Sequence, residues 1–442
     1  MRQDYIETIN YLYSLQRFGI KFGLHNIERL LKLLQNPERN FISVHIAGTN
    51  GKGSTSSFIA SILTAGGFKV GLYTSPHLVD FTERIRINGV PISRERVVEY
   101  VKLLRDEIDI LKATFFETTT AIAFKYFADE KVDFAVVEVG LGGRLDSTNV
   151  IKPVVSVITT VSYDHMDVLG ETIEKIALEK AGIIKEKIPC ITGCEDEKAL
   201  DVIKSVAREK NSELIIADEI SRTNLKEAGE EFVKFDLETP KNFYEDLTAG
   251  IAGTFQIKNA QLSVLTYEKL SELGLVNFDK RNVYDGVLKV RQFTGLRGRL
   301  EILNNSFNWQ NKPKIILDVA HNYPAICQLV KELENFKRRR LYVLFGVMKD
   351  KEYEKMIKKL SEIAHFAVAT QPKIGRALDA KTISEIFKLN GVESIYIPDS
   401  DKAFDFIFNK AEPEDMILIT GSHYLAGEII AYIEKRKIEC LI

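Results

Sequence analysis

Short apolar runs of strand length alternate along this chain with longer stretches whose apolar residues recur at helical spacing. Residues 41–46 form an apolar, β-rich run ending in a glycine-rich loop, and 54–65 follow with small and apolar positions at the period of a helix. The alternation continues with a helix over 118–128, strands over 134–139 and 154–159, and a helix around 173–182. Continuous apolar strands separated by helices predict a mostly parallel sheet covered on both faces. From 194 to about 240 charge is dense and periodicity weak, so no element is assigned. A second series begins near 314. Strands over 315–319, 341–345, 366–370, 394–397 and 416–420 alternate there with helices over 325–336, 353–363, 380–389, 402–410 and 424–435. It predicts a separate, smaller α/β domain. Between the two, residues 292–299 carry Gly295 and Gly298 around Leu296 and Arg297; this is the expected hinge, dividing the chain into 1–294 and 295–442.

A length of 442 residues also favours two cores over one. Hydrophobic residues at 45% and charged residues at 28% give a globular balance, and no apolar run reaches the length of a bilayer span. The N-terminus holds Asp4 and Glu7 and lacks an export signal, so a cytoplasmic location and no membrane partner are expected. Cys190, Cys194, Cys327 and Cys440 have neither disulfide-framework nor zinc-site spacing and are read as structural. A net charge of −2 argues against a general nucleic-acid binder. The basic cluster at 337–340 reads as a solvated helix end.

The strongest chemical signal is Gly48-Thr49-Asn50-Gly51-Lys52-Gly53-Ser54-Thr55, lying between a strand and a helix. Glycines let backbone approach polyphosphate, helix N-terminal amides point at it, Lys52 neutralises charge, and Ser54 or Thr55 can reach magnesium. The spacing departs from the common phosphate-loop pattern, since only two residues separate Gly48 from Gly51 and Gly53 intervenes before Ser54. Glu138 ends a strand and leads into Gly140-Leu141-Gly142-Gly143-Arg144-Leu145-Asp146; an acid on that sheet edge can hold magnesium, the bland alternative being a solvated strand end. Asp164 and His165 follow the next strand on the same edge.

Together with Tyr73-Thr74-Ser75-Pro76-His77-Leu78, these motifs resemble the folylpolyglutamate synthase and dihydrofolate synthase family of Mur ligases. The resemblance runs on through Phe255-Gln256-Ile257-Lys258-Asn259-Ala260, Gly298-Arg299-Leu300-Glu301, Asp318-Val319-Ala320-His321-Asn322 and Thr420-Gly421-Ser422. It implies a phosphate-loop ATPase domain with a mostly parallel sheet, followed by a smaller Rossmann-like α/β domain. It also implies an ATP-dependent acid–amino-acid ligase that adds L-glutamate to folate, with dihydropteroate as a further acceptor, through an acyl phosphate.

Carried over by position, the resemblance puts ATP at Thr49, Asn50, Gly51, Lys52, Gly53, Ser54, Asn259, Arg299 and Asp318. Magnesium, expected at two sites, falls to Ser75, Glu138, His165 and Lys180, the last as a carbamylated lysine in place of an ordinary helix lysine; a monovalent cation is also admitted. Pro76, His77, Arg84, Asp146, His321 and Ser422 fall at the substrates, with a surface salt bridge as the alternative for Arg84. Lys52, Lys180 and His321 are the expected catalytic groups. The implied partners are ATP, L-glutamate and the folate-type acid, and the implied state is a monomer. Two rival readings stay open: another Mur-type amino-acid ligase, and a phosphate-loop nucleotide-binding module without ligase activity.

Overall fold

The computed structural model describes residues 2–19, 23–304 and 311–434; Cys440 and the end of the helix expected over 424–435 lie outside them. In the first lobe the strands are β1 Ile42–Ala47, β2 Val70–Tyr73, β3 Ile85–Ile87, β4 Val90–Pro91, β5 Phe134–Glu138, β6 Val155–Ile158, β7 Cys190–Thr192 and β8 Leu214–Ile216. They form one sheet in the order β4-β3-β2-β5-β1-β6-β7-β8, parallel except for β3 and β4. Phe134 and Val136 feed one core while Ala135 and Val137 feed the other, so β5 must be apolar on both faces. The chain leaves β1 on one side for β2 and β5 and on the other for β6, and the carboxyl end of β1 is therefore a switch point where a crevice opens.

One face carries the helix Lys52–Ala65, itself covered by Gln256–Glu272 and Lys280–Leu288; Ser61 Oγ donates to Gly286 O at 2.6 Å where helices approach closely. The other face carries Phe115–Asp129, Arg94–Leu111, Arg2–Ser14 and His25–Leu33. The stretch from 194 to about 240, just past β7, contains the helix Glu197–Glu209, β8 and the first two strands of an antiparallel sheet of β9 Arg222–Ala228, β10 Val233–Glu238 and β11 Phe243–Ala249. Its Val233, Phe235, Leu237, Tyr244 and Leu247 join the first core.

The second lobe has a six-stranded sheet of β12 Glu301–Ile302, β13 Lys314–Leu317, β14 Leu341–Phe345, β15 Phe366–Ala369, β16 Glu393–Tyr396 and β17 Met416–Thr420, ordered β12-β13-β17-β14-β15-β16. Only β12 is antiparallel, and helices bury both faces. The expected hinge is tied down: Arg86 donates to Thr294 O and Gly295 O, each at 2.7 Å, and Val319 N donates to Gly298 O at 3.1 Å. No helix among the described residues is long and apolar enough to cross a membrane.

Candidate active site

β1 hands the chain to residues 48–51, and the helix Lys52–Ala65 starts at once. Gly48 has φ +149°, and a Cβ there would stand 1.9 Å from Thr159 Oγ1; Gly51 has φ +86°, and a Cβ would meet Asn259 Oδ1 at 2.4 Å. The loop is sewn to the exit of β6. Thr49 N donates to Thr160 O at 2.7 Å, and Thr159 Oγ1 donates to Asn50 O at 2.7 Å. Asn259 braces it from beneath, accepting from Thr55 Oγ1 at 3.3 Å and donating to Gln256 Oε1 at 2.8 Å. The first-turn amides have no intrahelical acceptor, which makes a donor-rich, positive helix end. Lys52 Nζ folds over the loop to Gly48 O at 3.0 Å and Thr49 O at 3.1 Å.

A second lysine reaches the same carbonyl. Lys180 Nζ donates to Gly48 O at 3.0 Å from the helix Ile173–Ala181, with 4% of the residue exposed, so it is no ordinary surface lysine. Burial and the nearby Lys52 push its amine down to about 7. Glu138, 4% exposed at the end of β5, is likewise no solvated strand end; it accepts from Ser75 N at 2.9 Å and faces Gly53, whose Cβ position lies 3.7 Å from Oε1. Burial pushes its carboxyl upward against the pull of Lys52 and Arg299. Burial also pushes His165 down. Among the described residues no three His, Cys, Asp or Glu side chains converge as a metal cage. Ser75, Glu138, His165 and Lys180 instead line one cavity as a mixed donor set.

That cavity, about 970 Å³, lies between the lobes. At one end are Arg84, Phe115, Phe116 and Pro76. Arg84 is buried, donates from Nε to His77 Nδ1 at 2.8 Å, and sits over the Phe115 ring at 5.1 Å, which replaces the surface salt bridge. Tyr13 Oη meets His77 Nε2 at 3.1 Å. Asp146 lines the same wall, with its carboxylate occupied by Leu141 N at 2.9 Å, Thr148 N at 3.0 Å and Thr148 Oγ1 at 2.5 Å.

The second lobe supplies the opposite wall. Asp318 accepts from Leu300 N at 2.9 Å and Ala320 N at 2.8 Å, and Arg299 lies beside it. His321 Nδ1 donates to Val319 O at 2.9 Å, leaving Nε2 as the acceptor, and burial and Lys351 push the ring down to about 4. Ser422 caps the helix His423–Ile433. Two contacts lock the lobes together. Asn322 exchanges hydrogen bonds with Asn50 at 3.0 and 3.3 Å, and Asp164 takes Lys351 Nζ at 2.7 Å and Asn322 Nδ2 at 3.1 Å. Burial pushes the Asp164 carboxyl up, yet Lys351, His165 and His321 together outweigh it and hold the group well below the usual range.

Thr49, Asn50, Gly51, Lys52, Gly53, Arg299, His321 and Ser422 therefore share the cavity with the four expected metal donors. Ser54, Asn259 and Asp318 lie behind its wall, and His77 opens into an adjoining pocket. Sequence reasoning passed over Lys351, Asn322, His423 and the Phe115–Phe116 pair. Thr114-x-x-Glu117, a capping box at a helix start, and the strand end before Lys351 were the available signals.

A fold of this kind, with a phosphate loop facing a second α/β lobe, matches two family models: the Mur ligase middle domain over 46–267 and the Mur ligase glutamate ligase domain over 298–423. The chain is 38% identical over 439 residues to the dihydrofolate synthase/folylpolyglutamate synthase of Bacillus subtilis, covering 96% of this chain and 98% of that one. It is 34% identical to the folylpolyglutamate synthase of Lacticaseibacillus casei, over 96% and 98% of the two chains. The solved folylpolyglutamate synthase of Thermotoga maritima superposes with a TM-score of 0.84 at 34% identity, over 99% of this chain and 98% of that one. E. coli FolC in complex with DHPP and ADP superposes at 0.85 with 26% identity, over 97% and 98%. The chain belongs to the folylpolyglutamate synthase and dihydrofolate synthase family of Mur ligases.

Proposed function

We propose that this protein is an ATP-dependent ligase that joins L-glutamate to the free carboxylate of a folate. The observation that carries the proposal is the single cleft that holds the phosphate loop, Lys52 and Glu138 on one wall and the neutral imidazole of His321 on the other.

A carboxylate resists attack by an amine because oxide is a poor leaving group. In the first step an acceptor oxygen bonds to the γ-phosphorus of ATP, the bond to the bridging oxygen breaks, and ADP leaves. Lys52 and the first-turn amides neutralise the phosphates and bring the two anions together. In the second step the neutral amine of glutamate bonds to the acyl carbon, the bond to phosphate breaks, and the amine gives up a proton. His321, with Nδ1–H anchored on Val319 O, offers Nε2 to orient that amine or take its proton.

The donor set of Ser75, Glu138 and His165 fits magnesium, since a buried carboxylate beside the first turn of the phosphate helix can face a hard cation. Bound there, magnesium supplies charge compensation at the phosphates. Carbamylation of Lys180 would convert a cation into an oxygen ligand for a second ion, and an amine pushed down to about 7 is ready for that reaction; a monovalent cation belongs to the same expectation. Arg84, His77, Pro76 and Asp146 are assigned to the acceptor, and Asn259, Arg299 and Asp318 to the nucleotide and its closure. Dihydropteroate is a second acceptor in this reading, supported by the double name of the Bacillus relative. A monomer in the cytoplasm, divided at 294/295, completes it.

With the acceptor carboxylate carrying heavy oxygen, one labelled atom should appear in the released phosphate, and release should require both glutamate and folate. Release with a different acid in place of folate points to another Mur-type ligase. No label in phosphate rejects the acyl phosphate route.

A further inference from the structure

The cations around the cavity can be sorted by their partners. Lys52 and Lys180 are spent on loop carbonyls. Arg299 is buried beside Asp318 and Glu138, Arg144 pairs with Glu179 at 2.7 Å, and Lys351 pairs with Asp164 at 2.7 Å. Arg84 belongs to the aromatic end, tied to His77. Arg376 differs. It lines the second-lobe wall, and among the described residues it has no carboxylate partner; one guanidinium nitrogen donates to Tyr424 Oη at 3.1 Å. The guanidinium carbon lies 5.5 Å from the Tyr424 ring centroid, so the group is oriented while most of its five N–H donors stay available.

Its backbone is braced as well. Arg376 O accepts from Lys349 N at 3.0 Å, Leu378 N donates to Val347 O at 2.8 Å, and Met348 bridges Ala377. Tyr424 follows His423, whose ring centroid is 5.0 Å from that of His321. Arg376, itself exposed, thus lines the same cavity as the imidazole assigned to the amine.

We infer that Arg376, oriented by Tyr424, binds the side-chain carboxylate of the incoming glutamate while the amine rests at His321 Nε2. The inference rests on the glutamate ligation proposed above and adds the group that selects for a second carboxylate. A planar guanidinium gives a carboxylate two parallel hydrogen bonds with charge. The amide of glutamine keeps one acceptor oxygen but sets an NH2 against the other donor and carries no charge, so one bond and the ion pair are lost.

The test is initial-rate kinetics of Arg376→Ala with L-glutamate and L-glutamine as rival amines, at saturating ATP and tetrahydrofolate. The glutamate KM should rise by about 30-fold or more, and the preference for glutamate over glutamine should fall by a similar factor. The KM for ATP should stay within about twofold, because Arg376 contacts nothing on the phosphate loop. Arg376→Gln, closer in shape, carries the same expectation if the alanine variant does not fold. An unchanged glutamate KM, or a wild-type selectivity ratio, in either folded variant overturns the inference alone. Wild-type protein that incorporates no glutamate overturns the functional reading, and this inference with it.

Discussion

Two strand-end loops face each other across the cleft, and they solve opposite problems. Residues 48–51 after β1 contain no acid; glycines open the backbone, and Lys52 and helix amides make the place positive. Residues 318–322 after β13 contain a buried acid that spends itself on the amides of Leu300 and Ala320, and they present an imidazole stripped of charge by burial. A polyphosphate needs compensating charge, whereas an amine that must attack needs a neighbour without it. The two loops sit on separate lobes yet are not independent, since Lys52 acts across the cleft with burial and Lys351 to keep the His321 ring uncharged.

The largest break in this contrast comes from Lys52→Met, which should lower turnover by about a thousandfold while circular dichroism stays unchanged. Near-normal turnover would mean that the loop does not carry the phosphoryl charge. His321→Ala should lower amide formation by about a hundredfold and leave ATP affinity within about twofold by calorimetry. Equal losses in both would erase the division of labour between the loops. The pH profile gives the smallest effect. His321 is neutral above about 4 and contributes no acid limb between pH 5 and 8. Lys180 becomes protonated as pH falls through about 7, and a protonated amine cannot carry a carbamate. Turnover should therefore drop several-fold on the acid side of 7, with added bicarbonate shifting that limb to lower pH. A flat profile from pH 6 to 8, with or without bicarbonate, counts against the modification.

The second lobe was legible because its strands are continuous apolar runs bounded by polar turns; β14, β17 and the helix Ala380–Leu389 fall where the periodicity puts them. The helix Gln256–Glu272 was not assigned, since it is buried nearly all round and includes Gln261, Ser263, Glu268 and Lys269 in that burial, which blurs any apolar stripe. β9 was hidden for the opposite reason, being exposed along its whole length. The phosphate loop could be read because its residues are contiguous. The Asn50–Asn322 and Asp164–Lys351 contacts join residues 272 and 187 positions apart, and only the folded arrangement of the lobes creates them.

Arg86 clasps the carbonyls of Thr294 and Gly295 from the first lobe, and the second lobe holds the carbonyl of Gly298 through Val319. Only Leu296 and Arg297 stand between the clamped glycines, three backbone steps with a reach of about 11 Å when fully extended. A tether that short keeps the lobes from drifting far apart at this edge, whatever the facing walls of the cleft do.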